Sequence, residues 1–350
     1  MNLTRVAASL VAFTFFSHIV VAQGTGPTAE TLPILGVAGI TFRVSSLEKA
    51  RRYYEGVLGL PEAFTLKDDA GRVSSIFFKV NDDQYVEVVP GLLPGGLNRQ
   101  VRVVIQSFDL KRLHDIYTAR GLNPTPIGRG PDGNPVFRVV GPENATLDFI
   151  QYTPDSMQSR ARGKLLDTRR IARHMEHVSV FTRNPDAVRA FYRDKLGFPK
   201  GKDLPGGRGE FIEASSSDRN LETKYPRLDP NNPSTRAQYE RELMAANQHF
   251  GLVVPDMRFA RDLAQERGNL TDVQVRVHVG GTRRWIMHLF DLDGNCTELM
   301  EYEVQEGLPA MTVMAPGRDV GPPILPTTPG VIPWPNAAQP GPNAPERRER

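Results

Sequence analysis

The sequence predicts an α+β protein of two tandem modules, each a pair of βαβββ units, and three observations carry that prediction. Residues 46–61 (SLEKARRYYEGVLGLP) and 184–199 (NPDAVRAFYRDKLGFP) match at a constant offset of 138, sharing Tyr54/Tyr192, Leu58/Leu196, Gly59/Gly197 and Pro61/Pro199. A second strand–helix pair recurs in each half at an offset of 147. The intervals after these helices are rich in β-branched and aromatic residues.

Each element has a local reason. Residues 40–44 (ITFRV) and 178–182 (VSVFT) read as short strands that precede the repeated helices. Ser46 and Asn184 are capping residues, and Pro185 suits a first helical position because its missing N–H is one the helix leaves unpaired anyway. Leu47, Ala50, Tyr54 and Leu58 space one apolar face, and Gly59 or Gly197 ends the helix. The second pair comprises strand 101–105 with helix 109–120, and strand 249–254 with helix 256–267, each helix closed by glycine at 121 or 268. Further strands are expected at 75–80, 84–89, 137–140, 209–214, 285–290 and 297–302. Module one therefore spans 35–153 and module two 174–304. The connector, 154–173, is basic and reads as a solvated linker with a minor capacity for anions.

The two ends differ from this middle. Residues 1–22 carry one charge, Arg5, before an apolar run that ends in Val-Val-Ala, which reads as a cleaved export signal and implies a periplasmic or secreted protein. From 305 to 350 there are 11 prolines in 46 residues, so this tail lacks the apolar content to offset its ordering entropy and should be mobile or extended on the surface. With 39% hydrophobic and 24% charged residues the 350-residue chain can bury a core. A formal charge of +3 gives no basis for nucleic-acid binding, and no second apolar run would keep the cleaved chain in a membrane. The single cysteine, Cys296, excludes an internal disulfide framework and any cysteine-based zinc site.

Paired βαβββ units, with residues 291–295 (DLDGN) followed by Glu298, resemble the vicinal oxygen chelate superfamily. That group includes glyoxalase I, fosfomycin and bleomycin resistance proteins, and type I extradiol ring-cleaving dioxygenases. The resemblance implies a partly open barrel per module, with metal ligands projecting from strands. Carried onto this chain, it assigns His177, Glu222, His249 and Glu298 as ligands of one divalent ion in module two. The corresponding positions in module one are Gly39, Glu87, Arg102 and Asp148. Glycine has no donor and arginine repels a cation, so module one is degenerate.

Two imidazoles and one carboxylate fixed on strands leave adjacent open positions for a bidentate substrate and O₂, the arrangement that suits Fe(II). A fourth ligand at Glu222 suits instead a glyoxalase-like centre, where Ni, Zn or Mn stabilises an enediolate as a Lewis acid. The resemblance also assigns His278 and His288 to orienting or protonating substrate, with His288 standing where a tyrosine is usual. The acid–base histidine it implies falls near Ser234, inside an apparent insertion, 215–248, whose helical stretch would form a lid. Cys296 shares strand parity with Glu298 and reads mainly as a packed small hydrophobe. The expected function is thus an exported metalloenzyme resembling an extradiol dioxygenase, acting on a small oxygen-chelating substrate, with a homodimer possible. A glyoxalase-like lyase or a non-catalytic binding protein are its rivals.

Overall fold

The computed structural model describes residues 31–314, apart from 98, 167–168, 208, 215–217, 226–230, 232–233, 236, 239 and 241–247. The export signal, the tail beyond 314 and most of the predicted lid lie outside the described residues. Within the insertion, the Gln238 N–H donates to the Ser234 carbonyl at 2.8 Å, one helical turn where a helix is expected.

Module one runs β1 (Ile34–Val44), α1 (Leu47–Arg51), β2 (Glu62–Lys67), β3 (Val73–Lys79), β4 (Tyr85–Pro90), β5 (Gln100–Ser107), α2 (Leu110–Ala119), β6 (Gly128–Arg129), β7 (Pro135–Val140) and β8 (Thr146–Ile150). A short helix α3 (Met157–Arg160) leads to module two. That module comprises β9 (His174–Phe181), α4 (Pro185–Arg189), β10 (Lys200–Asp203), β11 (Gly209–Ile212), β12 (Asn220–Lys224), β13 (His249–Val253), α5 (Met257–Gly268), β14 (Val277–Val279), β15 (Arg284–Phe290) and β16 (Cys296–Val304).

The strands form two eight-stranded sheets with the same order, β2-β3-β4-β1-β5-β8-β7-β6 and β10-β11-β12-β9-β13-β16-β15-β14. Each sheet curls into a half-barrel. Two βαβββ units meet in each at an antiparallel pair, β1 with β5 or β9 with β13. The fourth strand of each unit returns parallel to its first, as a helical crossover requires.

The repeated helices form for the reasons given above. Ser46 and Asn184 accept hydrogen bonds from the N–H groups of Lys49 and Ala187, and Asp109 and Asp256 cap α2 and α5 alike. In both modules the first helix continues through a wider π turn, Arg52–Val57 or Ala190–Lys195, a feature the sequence pattern does not announce. Gly59 and Gly197 then take φ of +67° and +78°, the left-handed conformation that glycine adopts without strain.

The helix of module one reaches into module two. Tyr53 Oη donates to Thr297 Oγ1 at 3.0 Å, and Gln84 bonds to Val37 and Met175, bridging β1 and β9. The connector is solvated only in part: Arg160, Arg162, Lys164, Arg169 and Arg173 are exposed, but Ser156, Gln158, Ile171 and Ala172 are buried, and the Arg170 guanidinium donates to the Val80 and Leu166 carbonyls. Arg170, bonded to the Val80 carbonyl, and Arg162, bonded to Asp83, tie the crossing segment to module one. Residues 311–314 extend along β14, with backbone bonds to Val277 and Val279, and Thr312 and Met314 are buried there. Among the described residues no helix is long and apolar enough to cross a membrane.

Candidate metal centre

The sheet register brings the predicted residues together. On one rung of sheet two, His177 pairs with Gly251, Gly251 with Glu298, and Glu298 with His288. On the next rung Glu222 pairs with Ser179, Ser179 with His249, and His249 with Cys296. Residues two apart on a strand face the same way. All four proposed ligands, with His288, Cys296 and Lys224, therefore line one face. Each ligand pair is separated by a small residue, Gly251 or Ser179, over which the curled sheet lets the longer side chains converge.

They do converge. His177 Nε2 and His249 Nε2 stand 2.9 Å apart. Glu298 Oε1 lies 3.8 Å from each, and Glu222 Oε2 lies 3.7 Å from His177 and 3.4 Å from His249. His177, His249 and Glu298 have ligand atoms mutually within 4.8 Å and can hold one metal ion. His177, His249, Glu222 and Glu298 are all buried.

The surrounding polar groups aim the donors. Glu298 Oε2 accepts from His288 Nε2 at 2.8 Å, leaving Oε1 toward the imidazoles. Glu176 Oε2 sits 3.4 Å from His177 Nδ1 while its Oε1 accepts from Arg284 at 2.6 Å, the carboxylate–histidine pairing that fixes a ligand ring. Phe211 meets the His177 ring edge-on at 5.4 Å. Gly251 is required here, because a Cβ at that position would overlap the His177 imidazole.

Electrostatics separates the two imidazoles. Burial opposes a proton on His177, but Glu176, Glu222 and Glu298 outweigh it and raise its pKa. His249, buried and beside Lys224, is pushed well below the ordinary imidazole value. One proton can therefore bridge the two Nε2 atoms. Burial would raise Glu298, yet His249, His288 and Lys224 hold it well below the carboxylate range.

These residues fit a first-row divalent ion. Glu222 Oε2 is buried and makes no hydrogen bond, its close neighbours being the Lys224 ammonium at 3.3 Å and the two imidazoles, so it keeps a lone pair that a divalent ion could take. Two imidazoles and carboxylates are the donor types such ions take, and adjacent ligand atoms of a six-coordinate ion with bonds of about 2.1 Å lie roughly 3 Å apart.

His278 is buried with its ring 5.8 Å from that of His288, and burial with the nearby His288 lowers its pKa to about 3, so it is neutral. Cys296 is buried among the same groups, and burial raises its thiol well above the usual value. Sequence reasoning missed Lys224, Gly251 and Glu176. Lys224 was legible as the next same-face residue after Glu222. The roles of Gly251 and Glu176 depend on cross-strand register and on the β9 irregularity near Leu252, which sequence spacing does not encode.

Residues 174–299, within module two, match the family model of the Glyoxalase/Bleomycin resistance protein/Dioxygenase superfamily. Among curated proteins none matches this sequence. Solved structures share the whole two-module fold. The 2,3-dioxygenase LapB from Pseudomonas sp. KL28 is 18% identical, with 80% of this chain and 97% of that one covered and a TM-score of 0.54. A Mn(II)-bound glyoxalase from Novosphingobium aromaticivorans is 15% identical, with 77% and 82% covered and a TM-score of 0.55. An extradiol ring-cleaving dioxygenase from Brevibacterium fuscum is 16% identical, with 81% and 76% covered and a TM-score of 0.56. At these identities the likeness is one of fold.

Proposed function

We propose that this protein is an exported mononuclear metalloenzyme that acts on a small oxygen-chelating molecule, with chemistry resembling that of Fe(II) ring-cleaving dioxygenases. The observation that carries this reading is the His177–His249–Glu298 face, with His288 and the neutral His278 beside it. Two imidazoles and one carboxylate place a single negative charge around the ion, so a divalent metal keeps positive charge for a dianionic chelating substrate. The bound ion would supply Lewis acidity and, as iron, a redox couple.

The chain's own residues handle the rest. Glu298 keeps its donor oxygen aimed by bonding the other oxygen to His288. His288 Nδ1 is buried without a partner, a polar atom available to a substrate oxygen. His278, neutral and buried, offers a hydrogen bond without competing as a cation. The N-terminal apolar run supports export, and the small net charge supports a small molecule rather than nucleic acid as partner.

One observation favours the glyoxalase-like alternative with Ni, Zn or Mn: Glu222 Oε2 is as near to the imidazoles as Glu298 Oε1. Anaerobic purification followed by metal analysis tests both, alongside His249→Ala. About one equivalent of iron, lost in the variant, with O₂ uptake on catechols, is the expected result. Near-stoichiometric nickel, zinc or manganese without O₂ uptake would move the assignment to the lyase reading. No metal in either protein after reconstitution would overturn both.

A further inference from the structure

We propose, resting on the metal reading above, that Lys224 sets the number of protein ligands at the centre by withholding Glu222. The two carboxylates are built differently. Glu298 divides its duties: Oε1 faces the imidazoles while Oε2 accepts from His288. Its supporting bond and metal ligation are compatible. Glu222 does not divide them. The same atom, Oε2, lies 3.4 Å from His249, 3.7 Å from His177 and 3.3 Å from Lys224 Nζ. An ammonium and a divalent ion would compete for one oxygen.

The competition is strong because it is enclosed. The Glu222 and Lys224 side chains are 5% and 19% exposed, so little water screens their attraction. Lys224 is also fixed by the sheet. It lies two residues beyond Glu222 on the same face of β12, in register with Phe181 of β9, and its stem cannot move far from the carboxylate. The position in module one that corresponds to Lys224 by its register with β1 is Val89, and the cation on Glu87 comes instead from Arg102 of β5.

Lys224 is thus a positioning residue. With its ion pair intact, the centre has the two-histidine, one-carboxylate face and one further open position. With the pair removed, Glu222 becomes a fourth ligand, giving a tighter and less open site. One charged residue decides which of the two chemistries the scaffold supports.

The test is a double-mutant cycle on Mn(II) affinity of the full chain, read by the loss of the free-ion electron paramagnetic resonance signal. Lys224→Met is expected to tighten binding about tenfold, the scale on which groups that orient ligands act. Glu222→Gln should change affinity less than about threefold in the wild-type background and weaken it about tenfold in Lys224→Met. Lys224→Arg, which keeps the charge, should behave as wild type. With ¹⁷O-labelled water, Lys224→Met should show one coordinated water fewer. Equal effects of Glu222→Gln in both backgrounds would overturn the proposal, as would no tightening in Lys224→Met. His249→Ala separates this from failure of the metal reading itself. If Mn(II) binding is lost there while the cycle shows no coupling, only Lys224's role falls. If wild type and His249→Ala both fail to bind, the metal centre falls with it.

Discussion

The two modules share strand order and register but fill their centres in opposite ways. In module two the rungs read His177–Gly251–Glu298–His288 and Glu222–Ser179–His249. In module one the same rungs read Gly39–Val104–Asp148–Arg138 and Glu87–Thr41–Arg102. The carboxylates persist, while the imidazoles become glycine and arginine. The Arg102 guanidinium reaches Glu87 at 2.5 Å and Asp148 at 3.2 Å, and Arg138 grips Asp148 with two bonds of 2.6 and 2.9 Å. A fixed organic cation occupies the place where module two gathers residues that could hold an exchangeable one, with a cavity of only about 90 Å³ over Gly39 and Arg102. Size is exchanged as well as charge: His177 faces Gly251 in module two, and Gly39 faces Val104 in module one. The lesson is that a buried pair of carboxylates calls for a cation: module one supplies arginines, whereas module two supplies Lys224 beside Glu222 and two imidazoles that could hold a bound ion.

This comparison can be broken at Arg102. Arg102→Ala would leave the buried Glu87 carboxylate without its cation, while Asp148 keeps Arg138, and we expect a loss of about 3 kcal/mol in urea unfolding, because an uncompensated buried charge costs far more than the pair contributed. A loss below about 1 kcal/mol, of the size typical for surface pairs, would show that Arg102 is not the cation of that centre. A smaller effect is expected at Gly251, where a methyl group would overlap the His177 ring. Gly251→Ala should weaken metal binding on the order of tenfold while leaving the circular dichroism unchanged. Unaltered affinity would mean that His177 is not a ligand. The smallest effect concerns the seam between the modules. Tyr53→Phe removes the bond to Thr297 and should cost about 1 kcal/mol, measured by thermal unfolding, with metal affinity unmoved.

Much of this was legible in the chain. The repeat at offset 138 announced two modules, and the capping residues with Gly59 and Gly197 marked the helices, because these signals act over a few neighbouring residues. His177, Glu222, His249 and Glu298 were legible through resemblance to a known scaffold, and the folded chain brings all four to one face. The edge strands β6, β10 and β14 were not. They are two to four residues long, and pairing with a neighbour rather than propensity makes them strands. The connector was legible as a basic segment that is largely exposed, but its anchor was not, because Arg170 is buried by donating to backbone carbonyls that only folding supplies.

The sequence by itself determined the βαβββ units, their duplication and the asymmetry of histidines between the two copies, since period, caps and residue identity are local properties. Tertiary structure decided what those residues do. Cross-strand register set Gly251 and Ser179 between the ligands, turned Glu176 toward His177, and brought Lys224 against the one oxygen of Glu222 that faces the imidazoles. The rungs join residues far apart in the chain, across neighbouring strands about 4.8 Å apart, and no spacing along a single strand encodes them, whereas Glu176 and Lys224 lie one and two residues from their partners and folding adds there the convergence of the ligands.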